Sequence, residues 1–253
     1  MRICNLVSGS KGNCTYVETK NHKILIDIGT TSIQIEKKLF EIGIEPSEID
    51  IVLITHAHID HIKGLKVFSK KYKPQIYITD LILKEANLVG MTFNLIQSLK
   101  EITDIKIKEI KLSHDVEEIM GYIIEEHNSS LVYITDTGYI NEVYFGEISN
   151  KKIYIFESNH DIEMLMNNKN YPHHTKIRIL GDKGHLSNKD SAYYLSKLIG
   201  EQTEYIILAH LSEQNNTEEL AIDCLNQQLK TKTKFNPKIF VAKQEEKTGI
   251  FEI

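Results

Sequence analysis

The stretch that most constrains this chain is residues 51–61, IVLITHAHIDH. The apolar run Ile51–Ile54 has the pattern of a buried strand, and three histidines and an aspartate follow it within seven positions. With 11 histidines spread over 253 residues, three in THAHIDH are too dense for a polar loop assembled by chance. Imidazole nitrogens bind Zn²⁺, Fe²⁺ or Mn²⁺ well, and a carboxylate beside an imidazole adds a second pair of donors. HxHxDH therefore offers two ligand pairs, His56 with His58 and Asp60 with His61, on the end of a rigid strand. Further donors must come from elsewhere. His114 in KLSHD, Asp136 in YITDTG and His210 in IILAHLSE each follow an apolar run of their own, as His56 does.

Strand-like segments cover residues 2–7, 15–19 and 23–28, then IDIVLIT, QIYIT, IKIKEIKL, GYIIEE, LVYITD and KIYIFES, with EYIILAH, KIFVA and TGIFEI near the end. Helical patterns fall on SIQIEKKLFEIG, where Ile35, Leu39 and Ile42 share a face and Gly43 is a stop. They recur on KGLKVFSKKYK, around Ser191–Leu198 and near Glu218–Leu229. No repeat, low-complexity segment or linker interrupts the chain, which predicts one domain over residues 1–253. The expected class is α/β, two sheets face to face with helices outside, although a doubly wound sheet has the same periodicity. SGSKGN lacks the spacing of a P-loop and reads as a hairpin turn.

The balance of 30 basic and 35 acidic residues, −5 in net charge, excludes a basic nucleic-acid coat; a nucleic-acid role would need a local positive site or metal ions. Cys4, Cys14 and Cys224 form no CxxC pair, as expected of a reducing compartment. With no apolar leader and no apolar run of about 20 residues, the expectation is a cytoplasmic protein without a membrane partner. No obligate protein partner is evident.

In that order, HAHIDH, SHD, TDTG and AHLS resemble the metallo-β-lactamase fold family over essentially the whole chain. The resemblance implies a four-layer αββα sandwich, two mixed sheets with outer helices, and two divalent metal ions (Zn, Mn or Fe) at one edge. Carried over by position, it gives His56, His58 and His114 to one ion and Asp60, His61 and His210 to the other, with Asp136 bridging. Asp27 in ILIDIG resembles the aspartate that supports the HxHxDH loop.

Within that family, an aspartate rather than a cysteine at 136 disfavours β-lactam hydrolysis. SHDVEEIMGY resembles the phosphodiesterase members and not the TPGH motif of glyoxalase II types. The 74 positions from Asp136 to His210 (210 − 136) are too few for the inserted domain of the large RNases and DNA-repair nucleases. SGSKGN, ESNHD, GDKGHLSN and AHLSEQNN resemble the small bacterial WalJ (YycJ)-like branch. That branch implies a nuclease or phosphodiesterase, with a DNA exonuclease favoured, acting through a metal-bound hydroxide with Asp60 as ligand and proton acceptor.

His185 in GHLSN matches the position where phosphodiesterase relatives hold a histidine facing the phosphate, as general acid or clamp; the alternative is a neighbour of a helix cap at Ser187 or Asn188. Asn159 and His160 in ESNHD read either as residues lining the cleft, supporting the ligands or touching substrate, or as a polar turn opening a helix. Lys63, Lys66, Lys70, Lys71 and Lys73 could draw in a phosphate backbone or form a solvated helix face. Two other functions compete: a hydrolase of small esters, lactones or cyclic nucleotides, and a non-catalytic metal-binding module.

Overall fold

The alternation of side chains along the strands decides the architecture of the computed structural model, which describes residues 1–91, 93–96 and 98–253. The strands are β1 (Arg2–Val7), β2 (Cys14–Glu18), β3 (Lys23–Ile26), β4 (Ile51–Leu53), β5 (Gln75–Tyr77), β6 (Asn94–Leu95) and β7 (Lys106–Lys111). They continue as β8 (Met120–Glu126), β9 (Ser129–Ile134), β10 (Ile153–Glu157), β11 (Tyr205–Ala209), β12 (Lys238–Val241) and β13 (Phe251–Glu252). One sheet runs β13-β1-β2-β3-β4-β5-β6 and the other β12-β11-β10-β9-β8-β7. Each sheet is mixed: β1–β3 and β7–β9 pair antiparallel, whereas β3–β6 and β9–β12 pair parallel.

In β9, Leu131 and Tyr133 point into the core between the sheets, and Val132 and Ile134 point to the opposite face. Strand β10 divides in the same way, Ile153 and Ile155 against Tyr154 and Phe156, and β11 likewise, Ile207 and Ala209 against Ile206 and Leu208. A strand buried on both faces must be apolar throughout, which is why YIILA and IYIFE read as continuous runs.

The helices are α1 (Ser32–Glu41), α2 (Ile59–Ile62), α3 (Leu65–Tyr72), α4 (Asp80–Glu85), α5 (Phe145–Ile148), α6 (Ile162–Asn167), α7 (His173–Leu180), α8 (Asn188–Leu198) and α9 (Glu218–Lys232). Ile35 and Leu39 of α1, with Leu65 and Phe68 of α3, join the core of the first sheet. Leu195 and Leu198 of α8, with Ala221, Leu225 and Leu229 of α9, cover the outer face of the second. The result is four layers, αββα, as expected. Gly43 lies just past α1 at φ 76°, a left-handed stop. Short helices α4, α5 and α7 escape the sequence pattern because none exceeds eight residues and each shows little periodicity. The turn α2 is hidden inside HAHIDH itself.

Backbone hydrogen bonds bind three loops into one edge. Asn13 N donates to Asp60 O (2.8 Å), Gly29 N to Asn13 O (2.8 Å) and Ile28 N to His61 O (2.8 Å). SGSKGN is thus a turn between β1 and β2 whose last residue grips the HAHIDH loop. Gly29 sits where these chains meet: a Cβ there would stand 1.6 Å from Asp60 O and 2.4 Å from Asn13 N. Gly29→Ala is expected to lower stability by at least about 1–3 kcal/mol, the usual consequence of overpacking. Urea unfolding measures it, and wild-type stability in that variant would refute the tight approach.

Candidate metal centre

Six strands deliver their carboxyl ends to this edge. Asp27 follows β3, Thr55 and His56 follow β4, His114 follows β7, Asp136 follows β9, Glu157 ends β10 and His210 follows β11. Three of them, Asp27, Asp136 and His210, hold left-handed backbone at φ 63°, 59° and 57°. Aspartate and histidine tolerate that region better than most side chains, and it turns the chain sharply enough to aim the side chain across the strand end.

Four overlapping groups of donor atoms form, each within 4.8 Å of one another: His56, His58 and His114; His56, His61 and Asp136; Asp60, His61 and His210; and Asp136, Glu157, His185 and His210. Every residue that the sequence offers as a ligand is therefore brought to one place, and Asp136 belongs to two of the groups.

The ring nitrogens facing away from the cluster are held by partners. Nδ1 of His56 is 3.0 Å from Thr55 Oγ1, Nδ1 of His61 is 2.8 Å from Asp27 Oδ2, and Nδ1 of His114 donates to Gly184 O at 3.0 Å. Nδ1 of His210 is 3.1 Å from Glu157 Oε1. A proton fixed on each Nδ1 leaves Nε2 with its lone pair turned inward, the tautomer a metal ligand needs. Asp27 also accepts from the Thr55 backbone (2.8 Å) and hydroxyl (2.9 Å), so one buried carboxylate orients Thr55 and His61 together.

The donor set fits divalent cations on a second ground. His56 Nε2 and His210 Nε2 are buried and have no hydrogen-bond partner. Leaving such atoms unsatisfied costs about 1–3 kcal/mol each, a penalty that metal coordination would remove. Electrostatics point the same way. Burial opposes a charge on His61, but Asp27 and Asp136 outweigh it and raise its pKa to about 10. Burial, with His61 charged beside it, holds His56 well below the usual imidazole range. Burial raises the Asp136 carboxyl, yet His210 and His61 overcome that and push it well below the carboxylate range. Carboxylates that stabilise a proton so strongly would stabilise a bound cation in its place.

Two residues that the sequence pattern passed over organise the second half of the site. Asn13, fully buried, brings Nδ2 within 3.0 Å of His61 Nε2 and 3.4 Å of Asp60 Oδ2. Glu157 is the larger omission. Its Oε1 meets His185 Nδ1 at 2.7 Å and His210 Nδ1 at 3.1 Å, and its Oε2 accepts from Thr137 N at 2.9 Å and Leu186 N at 3.2 Å. Burial raises its pKa, but His185 and His210 prevail and lower it to about 2. The signal was present: Glu157 ends an apolar strand, as Asp27 and Asp136 follow theirs, but a search restricted to His and Asp skips it.

His185 is 16% exposed, its ring 4.8 Å from that of His114 and 5.2 Å from that of His210. Ser187 caps α8 by accepting from Asp190 N, so GHLSN serves both the helix start and the cluster. Asp60 lies at the mouth, 19% exposed, with Oδ2 3.6 Å from His61 Nε2 and 3.9 Å from His210 Nε2. The sequence reading offers Asn159 and His160 to a substrate, but the structure turns both inward. Asn159 Nδ2 donates to His210 O at 2.9 Å, behind the cluster. His160 is 1% exposed, and burial lowers its pKa to about 4. Asp161 caps α6 at Met164 N. Lys71 pairs with Glu36, while Lys63, Lys66, Lys70 and Lys73 lie exposed on or beside α3.

Residues 7–210 match the metallo-beta-lactamase superfamily. The chain is 37% identical over 235 residues to a Bacillus anthracis protein named exodeoxyribonuclease YycJ, covering 90% of this chain and 88% of that one. It is 36% identical over 225 residues to a Streptococcus pneumoniae protein named exodeoxyribonuclease WalJ, covering 85% and 83%. Among solved structures, the metallo-beta-lactamase fold protein YhfI from Bacillus subtilis superposes at a TM-score of 0.70 over 100% of both chains; at 16% identity that likeness concerns the fold.

Since Asp27 supports the cluster only through His61 and Thr55, Asp27→Ala is expected to weaken divalent metal binding by about 10–100-fold, the usual loss when a ligand's supporting partner goes. Competition against a chromogenic chelator measures it, and unchanged affinity would remove Asp27 from that role.

Proposed function

We infer the reaction from one premise: the chain belongs to the metallo-beta-lactamase superfamily. It is a metal-dependent hydrolase of phosphodiester bonds. The substrate we assign is nucleic acid, with DNA degraded from an end, as the names of the two relatives suggest. Three unpaired cysteines support a reducing, cytoplasmic setting, and no helix among the described residues is long and apolar enough to cross a membrane.

In this reading His56, His58 and His114 hold one divalent ion, Asp60, His61 and His210 hold another, and Asp136 is shared. Zn²⁺, Mn²⁺ and Fe²⁺ all suit imidazole and carboxylate donors. Ions bound there supply Lewis acidity toward a phosphoryl oxygen and lower the pKa of water. The protein supplies the rest. Burial would raise the Asp60 carboxyl, but His210 and His61 beside it keep it low, so it stays ionised and accepts a proton from the attacking water. His185 donates to the leaving oxygen from Nε2, because Glu157 occupies its Nδ1.

The observation that carries this reading is the single Glu157 oxygen shared by His185 and His210. It ties a candidate proton donor to a candidate ligand and fixes the spacing between them.

Two measurements test it. Asp136→Ala should abolish turnover of bis-p-nitrophenyl phosphate and lower metal content; elemental analysis showing two ions retained would refute the shared ligand. His185→Ala should keep its metal and lower kcat by about 10²–10⁴-fold on DNA, the range for loss of a general acid. The loss should shrink for a nitrophenolate leaving group, which departs without a proton. Equal losses on both substrates would remove the acid role. Efficient hydrolysis of a thioester, with phosphodiesters inert, would overturn the reaction class itself.

A further inference from the structure

Arginine is scarce in this chain: Arg2 and Arg178 are the two arginines among 30 basic residues. Arg2 pairs with Glu18 and Glu252 at the edge of the first sheet. Arg178 lies on α7 beside the metal cluster. Its Nη1 donates to Asp115 Oδ2, its single hydrogen-bond partner among the described residues, and its side chain is 54% exposed. The other oxygen of Asp115 is 3.2 Å from His114 Nε2 and 3.4 Å from His58 Nε2. One carboxylate is thus all that separates the guanidinium from two candidate ligands.

The mount is rigid. Gly184, just beyond α7, accepts from His114 Nδ1 through its carbonyl, and His185 N donates to Ile179 O of α7 at 2.9 Å. Lys183, exposed and without a partner among the described residues, stands two residues before His185. Arg178 and Lys183 thus bring two positive charges to the rim that carries His185, where Asp115 and Asp182 supply two negative ones.

A stabilising role explains this poorly. An exposed ion pair contributes about 0–1 kcal/mol, and Asp115 already faces two imidazoles. A planar guanidinium with unused donors, presented to solvent at the mouth of a hydrolytic site, matches two oxygens of a phosphate, which a lysine cannot match as a fork. We propose that Arg178 is the phosphate-binding residue of the substrate strand, taking the phosphodiester next to the one cleaved while Asp115 keeps the guanidinium aimed along the cleft. This rests on the nucleic-acid reading above and names the contact that holds the strand.

The test is binding rather than turnover. Metal-loaded protein is titrated with a fluorescein-labelled, phosphorothioate single strand, followed by anisotropy over a salt series. Each phosphate neutralised contributes about 0.7 to the slope of log K against log salt for a single strand. Arg178→Gln should lower that slope by about 0.7 and weaken binding roughly 10-fold, with metal content unchanged. Arg178→Lys should restore the slope but not the full affinity. Asp115→Asn should bind at least as tightly as wild type, since the guanidinium remains. Wild-type slope and affinity in Arg178→Gln would overturn the proposal. So would an equal loss in Asp115→Asn, or a fall in metal content, either of which makes the pair structural. If wild type itself neither binds nor cleaves the strand, the nuclease reading fails and this inference with it; the other failures leave that reading standing.

Discussion

Three carboxylates, Asp27, Asp136 and Glu157, are buried at one edge of this sandwich, and the rest of that edge is arranged to neutralise them. A buried charge without partners is untenable, so each carboxylate must be met by donors or by a cation. Asp27 is met by Thr55 and His61, Glu157 by His185, His210 and two backbone amides, and Asp136 by His61 and His210. The histidines thereby acquire fixed orientations. Their remaining nitrogens converge, and the convergence defines a place for metal ions. Ligand geometry is in this sense a by-product of charge compensation.

The sheets make such compensation possible. Strands buried on both faces cannot carry polar groups along their length, so polar chemistry is confined to where they end. Left-handed turns at Asp27, Asp136 and His210 bend the chain immediately after an apolar strand and place the side chain across its end. Hydrogen bonds among the loops at Asn13, Gly29 and Asp60 then lock the HAHIDH turn against the end of β3. Strain of this kind persists only where the surrounding structure overdetermines it.

Around that fixed centre the two sides differ. His56 and His61 are closed off by the sandwich, whereas Asp60, His185 and Arg178 stand at the open mouth. Deep donors and shallow polar groups suit a hydrolase whose substrate is too large to enter the cluster.

HAHIDH, with His or Asp ending several apolar runs, is legible in one dimension because ligand type and strand period are local properties. The sequence by itself therefore determined the alternating strands, the layered class and the residues from His56 to His210 that meet at the site. Asn13 and Asp115 were not legible, and the strand end at Glu157 hinted at a role without showing it, because the importance of all three lies in partners 20 to 57 residues away that only folding brings near. Asn159 and His160 carry the same polar chemistry as the candidate ligands, and nothing local says which way they face. Their inward orientation was decided by the packing of β10 and α8 against the cluster. Side-chain identity sets what chemistry is available; the tertiary structure decides which groups are desolvated, which are paired and which remain open to a substrate.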